Sequence, residues 1–311
     1  MKPTLTTDLG GLVLRTPVVV AAGCLRSPRE MQGLVDLRKL GGIVTSSVTM
    51  QPRAGAPTPR VAETPSGVLS AVGLQNPGAE AFVREELPEL LATGVPVVVS
   101  IAGSTVEEYV GVASLVSGVG AVAAMEVNLA CADDERGGAI FAHRADRAAE
   151  VAGAVARASR LPVFAKLCAE VPDLVDVAGA CVHAGADGLT LISGVPGMSM
   201  GVMTMAPQLG AVTGRVSGPA IRPFAEKAVF EVSRALPEVP IFGVGGISEP
   251  QHAIEMMLSG AWAVQVGTAM LVNPTAPIDI ARGILRYLRA ARMSEPADIR
   301  SRARLPGREE A

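Results

Sequence analysis

A lysine inside an apolar strand is the first residue of this sequence whose type and position suit chemistry. Only four of the 27 basic residues are lysines, and Lys166 lies within the apolar stretch PVFAKL. A buried ammonium group carries a desolvation penalty unless it meets an anion or points into a polar site. We therefore interpret Lys166 as a fixed positive charge beside a bound cofactor. The alternative is a lysine that extends to water from a strand end.

Glycines follow two late strands, where backbone amides could approach an anion. One strand runs into Gly243-Val244-Gly245-Gly246, and the next runs into Gly267-Thr268. Glycine lets backbone N–H groups come close to a phosphate, and helix N-termini add positive potential. The loops after the last two strands of a parallel barrel are its common phosphate site. The two motifs together predict such a site, with tight turns alone as the alternative.

Apolar strands alternate with helical patterns along the chain, and these elements must position the lysine and the glycines. Strands are predicted over residues 18–22, 42–48, 96–101, 123–128, 163–167, 188–192, 241–244 and 263–266. Helices are predicted over residues 28–40, 79–93, 105–117, 144–159, 172–185, 222–236, 250–259 and 275–292. Eight ordered repeats with buried strands predict an α/β fold, a single-domain (β/α)8 TIM barrel. A doubly wound sheet is the alternative.

Two connections are too long to be simple turns. Residues 49–78 follow strand two and residues 193–221 follow strand six, both at the carboxyl end of the barrel, where such folds build active sites. The barrel domain is predicted over residues 1–292. The charged segment 293–311 is expected to be a polar tail that frays or packs only loosely.

Composition excludes several classes of function. The net charge is −3 without a basic run, which disfavours nucleic-acid binding. No apolar stretch has transmembrane length, and the short run before Cys24 is interpreted as a strand rather than a lipoprotein signal. The four cysteines and three histidines show no spacing typical of disulfides or metal sites. A cytoplasmic protein without metal or membrane contact is expected.

The chain resembles the class 1 dihydroorotate dehydrogenases, which are FMN-binding barrels, and it is most similar to their cytosolic two-subunit branch. The similarity runs from about residue 5 to residue 288. The matching pieces are TPVVVAAGC (16–24), GGIVTSSVTMQPRAGAPTPR (41–60), GLQNPG (73–78), AGSTVEEY (102–109), EVNLAC (126–131), FAKL (164–167), AGADGLTLI (184–192), SGPAI (217–221), GVGGI (243–247) and VGTA (266–269).

This resemblance implies a set of FMN-binding residues. Along the flavin ring it places Ala21, Ala22, Gly23, Ser47, Ser100 and Ile192. Asn128 and Lys166 would hydrogen-bond the ring or the ribityl chain. The ribityl-phosphate cradle would consist of Gly218, Gly245, Gly246, Gly267 and Thr268.

Cys131 matches the catalytic base of this class, which takes a proton from one substrate carbon while the neighbouring carbon gives hydride to flavin N5. A loop cysteine can serve as a base if its pKa is tuned. The nearby carboxylates of Asp133 and Asp134 would raise the thiol pKa, and Arg136 would lower it. Glycines at 137–138 could act as hinges of a closing lid. The alternative is that Cys131 is only a small buried apolar residue.

The substrate positions depart from the family pattern. Where the family has a lysine after strand two, this chain has Ser46. Amide side chains are replaced by Ser70 and Ser193-Gly194, a flavin-side amide is replaced by Ser100, and Asp133 replaces an asparagine after the base. The turn Val72-Gly73-Leu74 completes the implied substrate site. Because each lost buried hydrogen bond costs about 1–3 kcal/mol, weak or absent turnover of dihydroorotate is expected.

Three hypotheses follow. The first is an FMN-dependent oxidoreductase that acts on a CH–CH bond of a small molecule other than dihydroorotate, with Cys131 as proton donor or acceptor. The second is a true dihydroorotate dehydrogenase with a divergent site. The third is a flavin-binding pseudoenzyme. The resemblance also implies a homodimer. Reoxidation of FMN is left to a separate electron-transfer subunit, to a soluble acceptor such as fumarate, or to oxygen, since the chain has no cluster-binding cysteine pattern.

Overall fold

A closed barrel of eight parallel strands forms the centre of the protein. The structure is a computed structural model that describes residues 3–131, 140–300 and 302–303. The barrel strands, in the order in which they neighbour one another, are β3 (Val18–Val20), β4 (Gly42–Val44), β7 (Val97–Ile101), β8 (Ala124–Asn128), β9 (Val163–Leu167), β10 (Gly188–Leu191), β15 (Ile241–Val244) and β16 (Ala263–Val266). Because β16 pairs with β3 in parallel, the sheet has no free edge. The predicted TIM barrel is confirmed.

Helices cover the outside of the barrel, close to the predicted ranges. They are α1 (Ala79–Ala81), α2 (Leu87–Leu91), α3 (Val106–Ser117), α4 (Ala145–Ala158), α5 (Leu174–Ala184), α6 (Arg222–Ala235), α7 (Pro250–Leu258), α8 (Ala269–Val272), α9 (Ala276–Ala290) and α10 (Ala297–Arg300). A π-helical segment, Phe82–Glu86, joins α1 to α2. Within the described ranges, no helix combines the length and the apolar character needed to cross a bilayer.

The predicted helix over residues 28–40 is wrong. The segment instead holds two 3-10 turns, Pro28–Met31 and Leu37–Lys39, each begun by a capping side chain. Gly33 between them has φ of +78°, a left-handed conformation that no α-helix continues through. The apolar spacing suggested a helix, but the glycine and the second cap at Asp36 divide the segment.

The barrel interior is apolar at one end and polar at the other. The apolar part joins the inward side chains of several strands, including Phe164 and Phe242, to residues of the hairpin that precedes the first barrel strand. That hairpin consists of β1 (Thr7–Asp8) and β2 (Val13–Leu14). Further along the same strands, the inward positions are polar and buried: Ser100, Glu126, Lys166, Thr190 and Gln265. The carboxyl end of the barrel therefore has the chemistry of a site.

The two long connections are not plain loops. They contribute β5 (Val61–Thr64), β6 (Gly67–Ser70), β11 (Val195–Met198) and β14 (Thr213–Ser217), which form one antiparallel sheet in the order β11-β14-β6-β5. A second, two-stranded sheet consists of β12 (Met200–Gly201) and β13 (Ala206–Pro207). Because β6 pairs with β14, the two connections are fixed to each other at the carboxyl end of the barrel.

The start of the expected polar tail packs on the barrel. Ile299 in α10 is fully buried, and the guanidinium of Arg300 lies 3.9 Å from the centroid of the Trp262 ring. The expectation of a loosely packed tail is therefore wrong for residues 293–300, because an apolar side chain in α10 anchors them. Residues 304–311 lie outside the described residues, and the domain boundary itself stays a prediction.

Candidate active site

A buried ion pair lies at the centre of the polar barrel layer. The Lys166 ammonium is 3.2 Å from Glu126 Oε1, and these side chains are 9% and 0% exposed. Neighbouring strands complete the carboxylate's contacts, since Ser100 Oγ donates to Oε1 at 3.2 Å and Gln265 Nε2 donates to Oε2 at 2.9 Å. The strand-end interpretation of Lys166 is wrong, because its charge meets an anion inside the barrel. Such a pair costs desolvation unless hydrogen bonds satisfy it, as they do here.

A chain of hydrogen bonds leads from this ion pair to the barrel mouth. Ser100 Oγ lies 2.9 Å from Ser47 Oγ, and Asn128 Nδ2 donates to Ser47 Oγ at 3.0 Å. The structure thus brings together four of the five polar side chains assigned to FMN: Ser47, Ser100, Asn128 and Lys166. Their roles toward a flavin stay predictions.

Cys131 lies three residues after the end of β8. Its Sγ donates to the carbonyl oxygen of Asn128 at 3.3 Å, and the Tyr109 hydroxyl lies 4.0 Å from Sγ. Tyr109 also donates to the same Asn128 carbonyl at 2.8 Å, which fixes the phenol beside the thiol. Burial raises the pKa of Cys131, while the Tyr109 hydroxyl and the positive charges of Arg53 and Arg215 oppose that rise.

The predicted phosphate end has the backbone geometry of a cradle. Gly218, Gly245 and Gly246 have φ of +98°, +135° and +70°. A Cβ would lie 2.8 Å from Ala225 Cβ if added at Gly245, and 2.7 Å from Arg222 Cβ if added at Gly246. Among the described residues, no side chain caps the helical turns that begin after Gly218, Ile221 and Thr268. The first amides of the turn after Thr268 therefore suit a phosphate group, whereas Pro219 and Pro223 in the other two turns have no N–H and the Ala220 amide donates to Ser66.

Two unpartnered acceptors fit a flavin ring above the polar layer. Within the described ranges, Thr190 Oγ1 and Gln265 Oε1 are buried without a hydrogen-bond partner. A buried polar atom left unpaired costs about 1–3 kcal/mol, so a ring with N–H donors would satisfy what the protein leaves open. Of the residues expected along the ring, Ala21 and Ile192 are buried, Ala22 is partly buried and Gly23 is exposed. The residues present fit FMN.

The structure brings only part of the predicted substrate set together. Ser70 faces Arg215 across the β6–β14 pairing, and Gly194 accepts a hydrogen bond from Arg215 at 2.5 Å. Ser193, next to Gly194, is partly buried. Ser46 instead lines a separate small cavity with Arg26 and Glu86, among others.

The remaining substrate positions add little to this cluster. In the turn at 72–74, Val72 and Gly73 are exposed and Leu74 has φ of +51°. Asp133, Asp134, Arg136 and the glycines at 137–138 lie outside the described residues.

The residues of this site that were missed at the sequence level include Glu126, Tyr109, Arg215 and Glu170. Glu126 and Tyr109 had a signal, because each lies inside a motif that carries the family resemblance, EVNLAC and AGSTVEEY. Arg215 and Glu170 had none, because each is one charged residue in a connection, and their contact joins residues 45 positions apart.

Among the residues that the structure describes, one group of side chains could hold a metal ion. The ligand atoms of His143, Cys168 and Glu170 lie within 4.8 Å of one another. However, Glu170 already forms an ion pair with Arg215, whose positive charge beside the same carboxylate disfavours a cation. The sequence-based expectation that the protein uses no metal stays a prediction.

Comparisons with known proteins agree on one family. The family model described as dihydroorotate dehydrogenase matches residues 4–288. A protein of Pelobacter propionicus named dihydroorotate dehydrogenase B (NAD(+)), catalytic subunit, is 43% identical over 96% of this chain and 98% of its own length. Proteins with the same name from Desulforudis audaxviator and Geobacillus kaustophilus are each 46% identical, over 93% and 87% of this chain and 94% and 86% of their own lengths.

Proposed function

The chain belongs to the dihydroorotate dehydrogenase family, and on that premise we propose that it oxidises dihydroorotate to orotate as the catalytic subunit of a two-subunit enzyme. The expected enzyme class, an FMN-dependent oxidoreductase acting on a CH–CH bond, is confirmed by this membership. Of the substrates weighed from the sequence, dihydroorotate has the better support. The first hypothesis, a substrate other than dihydroorotate, has no support in the comparisons.

The observation that carries the proposal is the placement of Cys131. Its thiol lies at the barrel mouth, one turn of chain from Asn128, which is hydrogen-bonded into the network that reaches Lys166. A base at this point can face a substrate lying on a flavin bound over the polar layer. A base is required because hydride leaves one carbon only as the adjacent C–H gives up its proton.

In the proposed reaction, the Cys131 thiolate takes that proton. Arg53 and Arg215 stabilise the thiolate by their charge. The Tyr109 hydroxyl, which donates to the Asn128 carbonyl, lies 4.0 Å from Sγ. When bound, FMN supplies the hydride acceptor. Lys166 keeps a positive charge in the polar layer, and Glu126 fixes the position of its ammonium group. A preorganised charge of this kind stabilises negative charge that develops during a reaction.

The proposal includes a separate partner for reoxidation. Relatives that match nearly the whole chain are named as NAD(+)-dependent catalytic subunits, and this supports a second subunit that passes electrons to NAD+. A cytoplasmic location and a homodimer, both expected from the sequence and the resemblance, are part of the same proposal. The soluble-acceptor and oxygen routes are the alternatives.

A second candidate function keeps one observation in its favour. Ser70, Ser193 and Gly194 offer short side chains where the resemblance leads us to expect amides. A substrate other than dihydroorotate, with an activatable C–C bond beside a carbonyl, would fit a site shaped in this way. The pseudoenzyme hypothesis is the third, and it requires that Cys131 have no catalytic role.

Steady-state turnover tests the proposed function. Purified FMN-containing protein is given dihydroorotate and a dye that accepts electrons from flavin, and orotate formation is followed by its ultraviolet absorbance. We expect orotate to form at a rate proportional to enzyme concentration. Dye reduction by another carbonyl compound, without any by dihydroorotate, would favour the second candidate. A wild type that binds FMN but turns over neither substrate, with Cys131→Ser unchanged from it in FMN binding and stability, would favour the pseudoenzyme.

A further inference from the structure

Arg215 joins three of the segments that follow barrel strands. It lies in β14, and its partly buried guanidinium donates to the carbonyl oxygens of Ala130 at 2.9 Å and Gly194 at 2.5 Å. It also forms an ion pair with Glu170. These partners follow β8, β10 and β9. A single side chain therefore crosses the barrel mouth.

The position of Arg215 coincides with the expected substrate site. Ala130 immediately precedes Cys131, and Ser70 lies opposite Arg215 in the sheet register. A Cβ added at Gly194 would lie 3.0 Å from Arg215 Cβ, so a larger residue at position 194 would crowd this arginine. The residues that the sequence predicts for substrate binding thus surround Arg215, which was not among them.

Both residues of the Arg215–Glu170 ion pair keep hydrogen-bonding groups that the described residues do not use. Within the described residues, Glu170 Oε2 is buried without a hydrogen-bond partner. The bonds of Arg215 to Glu170, Gly194 and Ala130 use three N–H groups, whereas a guanidinium offers five. A ligand with both an anionic group and an N–H donor would complete the pair. Dihydroorotate and orotate, with a carboxylate and ring N–H groups, are such ligands.

We propose that Arg215 and Glu170 select the substrate, with Arg215 binding its carboxylate and Glu170 accepting one of its ring N–H groups. The proposal rests on the proposed function and deepens it. It explains how a site with Ser70 and Ser193 in place of amide side chains recognises this substrate. A guanidinium binds a carboxylate in a bidentate manner, which an amide cannot match.

Orotate binding tests this assignment. The affinity of FMN-containing protein for orotate and for orotate methyl ester, which lacks the anionic group, is measured by calorimetry in the wild type and three site variants. Arg215→Ala should weaken orotate binding at least about 100-fold and the ester much less. Arg215→Lys, which keeps the charge but loses the planar fork, should bind orotate about tenfold better than Arg215→Ala. Glu170→Gln should weaken both ligands similarly.

A matched control and the contrary outcomes complete the design. Arg282 forms a surface pair with Asp279 on α9, and Arg282→Ala should bind orotate as the wild type does. Arg215→Ala that retains FMN and binds orotate within about threefold of the wild type would overturn the assignment. If Arg215→Ala loses FMN, the other two variants decide the question. Orotate affinities equal to that of the wild type in both Arg215→Lys and Glu170→Gln would then overturn the assignment. A wild type that neither oxidises dihydroorotate nor binds orotate would remove the proposed function and the assignment together.

Discussion

Lys166 and Glu126 lie on adjacent barrel strands with Nζ 3.2 Å from Oε1, and both side chains are almost completely removed from water. Hydrogen bonds connect this pair to the barrel mouth, because Ser100 donates to the same carboxylate oxygen and also contacts Ser47. The single lysine that stood out in the sequence is thus held in place by an acidic residue on the neighbouring strand.

Removing one partner of this pair should destabilise the protein strongly. Lys166→Met leaves the Glu126 carboxylate buried without its counter-charge, and we expect the free energy of unfolding to fall by about 3–5 kcal/mol. The double variant Lys166→Met/Glu126→Gln should recover much of that loss because it buries no net charge. Urea unfolding followed by circular dichroism measures both. Equal losses in the single and double variants would mean that the pair is not coupled.

Cys131→Ser should reduce dihydroorotate turnover by about 100- to 10,000-fold without loss of FMN, because a serine hydroxyl is a far weaker base. The matched control is Cys181→Ala, in the outer layer on α5, which should keep the wild-type rate per bound flavin. Turnover that survives in Cys131→Ser would place the proton transfer elsewhere.

The pH dependence follows from the surroundings of the same thiol. Burial raises the pKa of Cys131, and the active form is the thiolate. In the wild type, kcat/KM should therefore rise with pH through the neutral and alkaline range, since the thiolate fraction grows until pH passes that pKa. Arg215→Lys should keep this rise because its charge remains, and Arg215→Ala should move it to higher pH. A flat profile in the wild type would contradict a role for Cys131 as base.

The phosphate cradle should not tolerate side chains. Gly246→Ala forces a residue with a Cβ into φ of +70° and brings that Cβ within 2.7 Å of Arg222 Cβ. Because this strain would displace the backbone of the phosphate cradle, we expect FMN affinity to fall at least about tenfold. In contrast, Gly179 lies in α5, where an added Cβ would meet no atom within 4 Å apart from the nearby backbone of its own helix. Gly179→Ala should therefore stabilise the protein by about 0.5–1 kcal/mol. Fluorescence titration with FMN distinguishes the two variants.

The segment after Met293 should contribute to stability. Ile299→Ala removes a fully buried side chain and should cost about 2–5 kcal/mol of unfolding free energy. Arg300→Ala should change the fluorescence of Trp262, the only tryptophan, because the guanidinium lies over its ring. Thermal unfolding and emission spectra provide the measurements. Unchanged stability in Ile299→Ala would support the loosely packed tail expected from the sequence.

Strands and most helices could be predicted from the sequence because buried parallel strands and amphipathic helices leave local patterns. The 28–40 segment was mispredicted because its conformation depends on the left-handed backbone of Gly33, which apolar spacing does not reveal. The sheet across the mouth could not be predicted, since it pairs Ser70 with Arg215 through contacts that are distant in sequence.

The site was predictable to the extent that its residues lie in motifs. Asn128, Cys131, Lys166 and the glycine pairs were assigned in this way, and the structure places them around one end of the barrel. Arg215 and Glu170 could not be found, because one charged residue in a connection is ordinarily a solvated side chain. Only the fold shows that the two meet, beside Cys131.

The most direct test of the account is an anaerobic titration of the FMN-containing protein with dihydroorotate, followed by the visible absorbance of the flavin. We predict that the absorbance bleaches as dihydroorotate is added and that orotate appears in equal amount. A flavin that stays oxidised with dihydroorotate, yet is reduced by dithionite, would contradict the proposed substrate. A protein that cannot be loaded with FMN would contradict the placement of the cofactor in this chain.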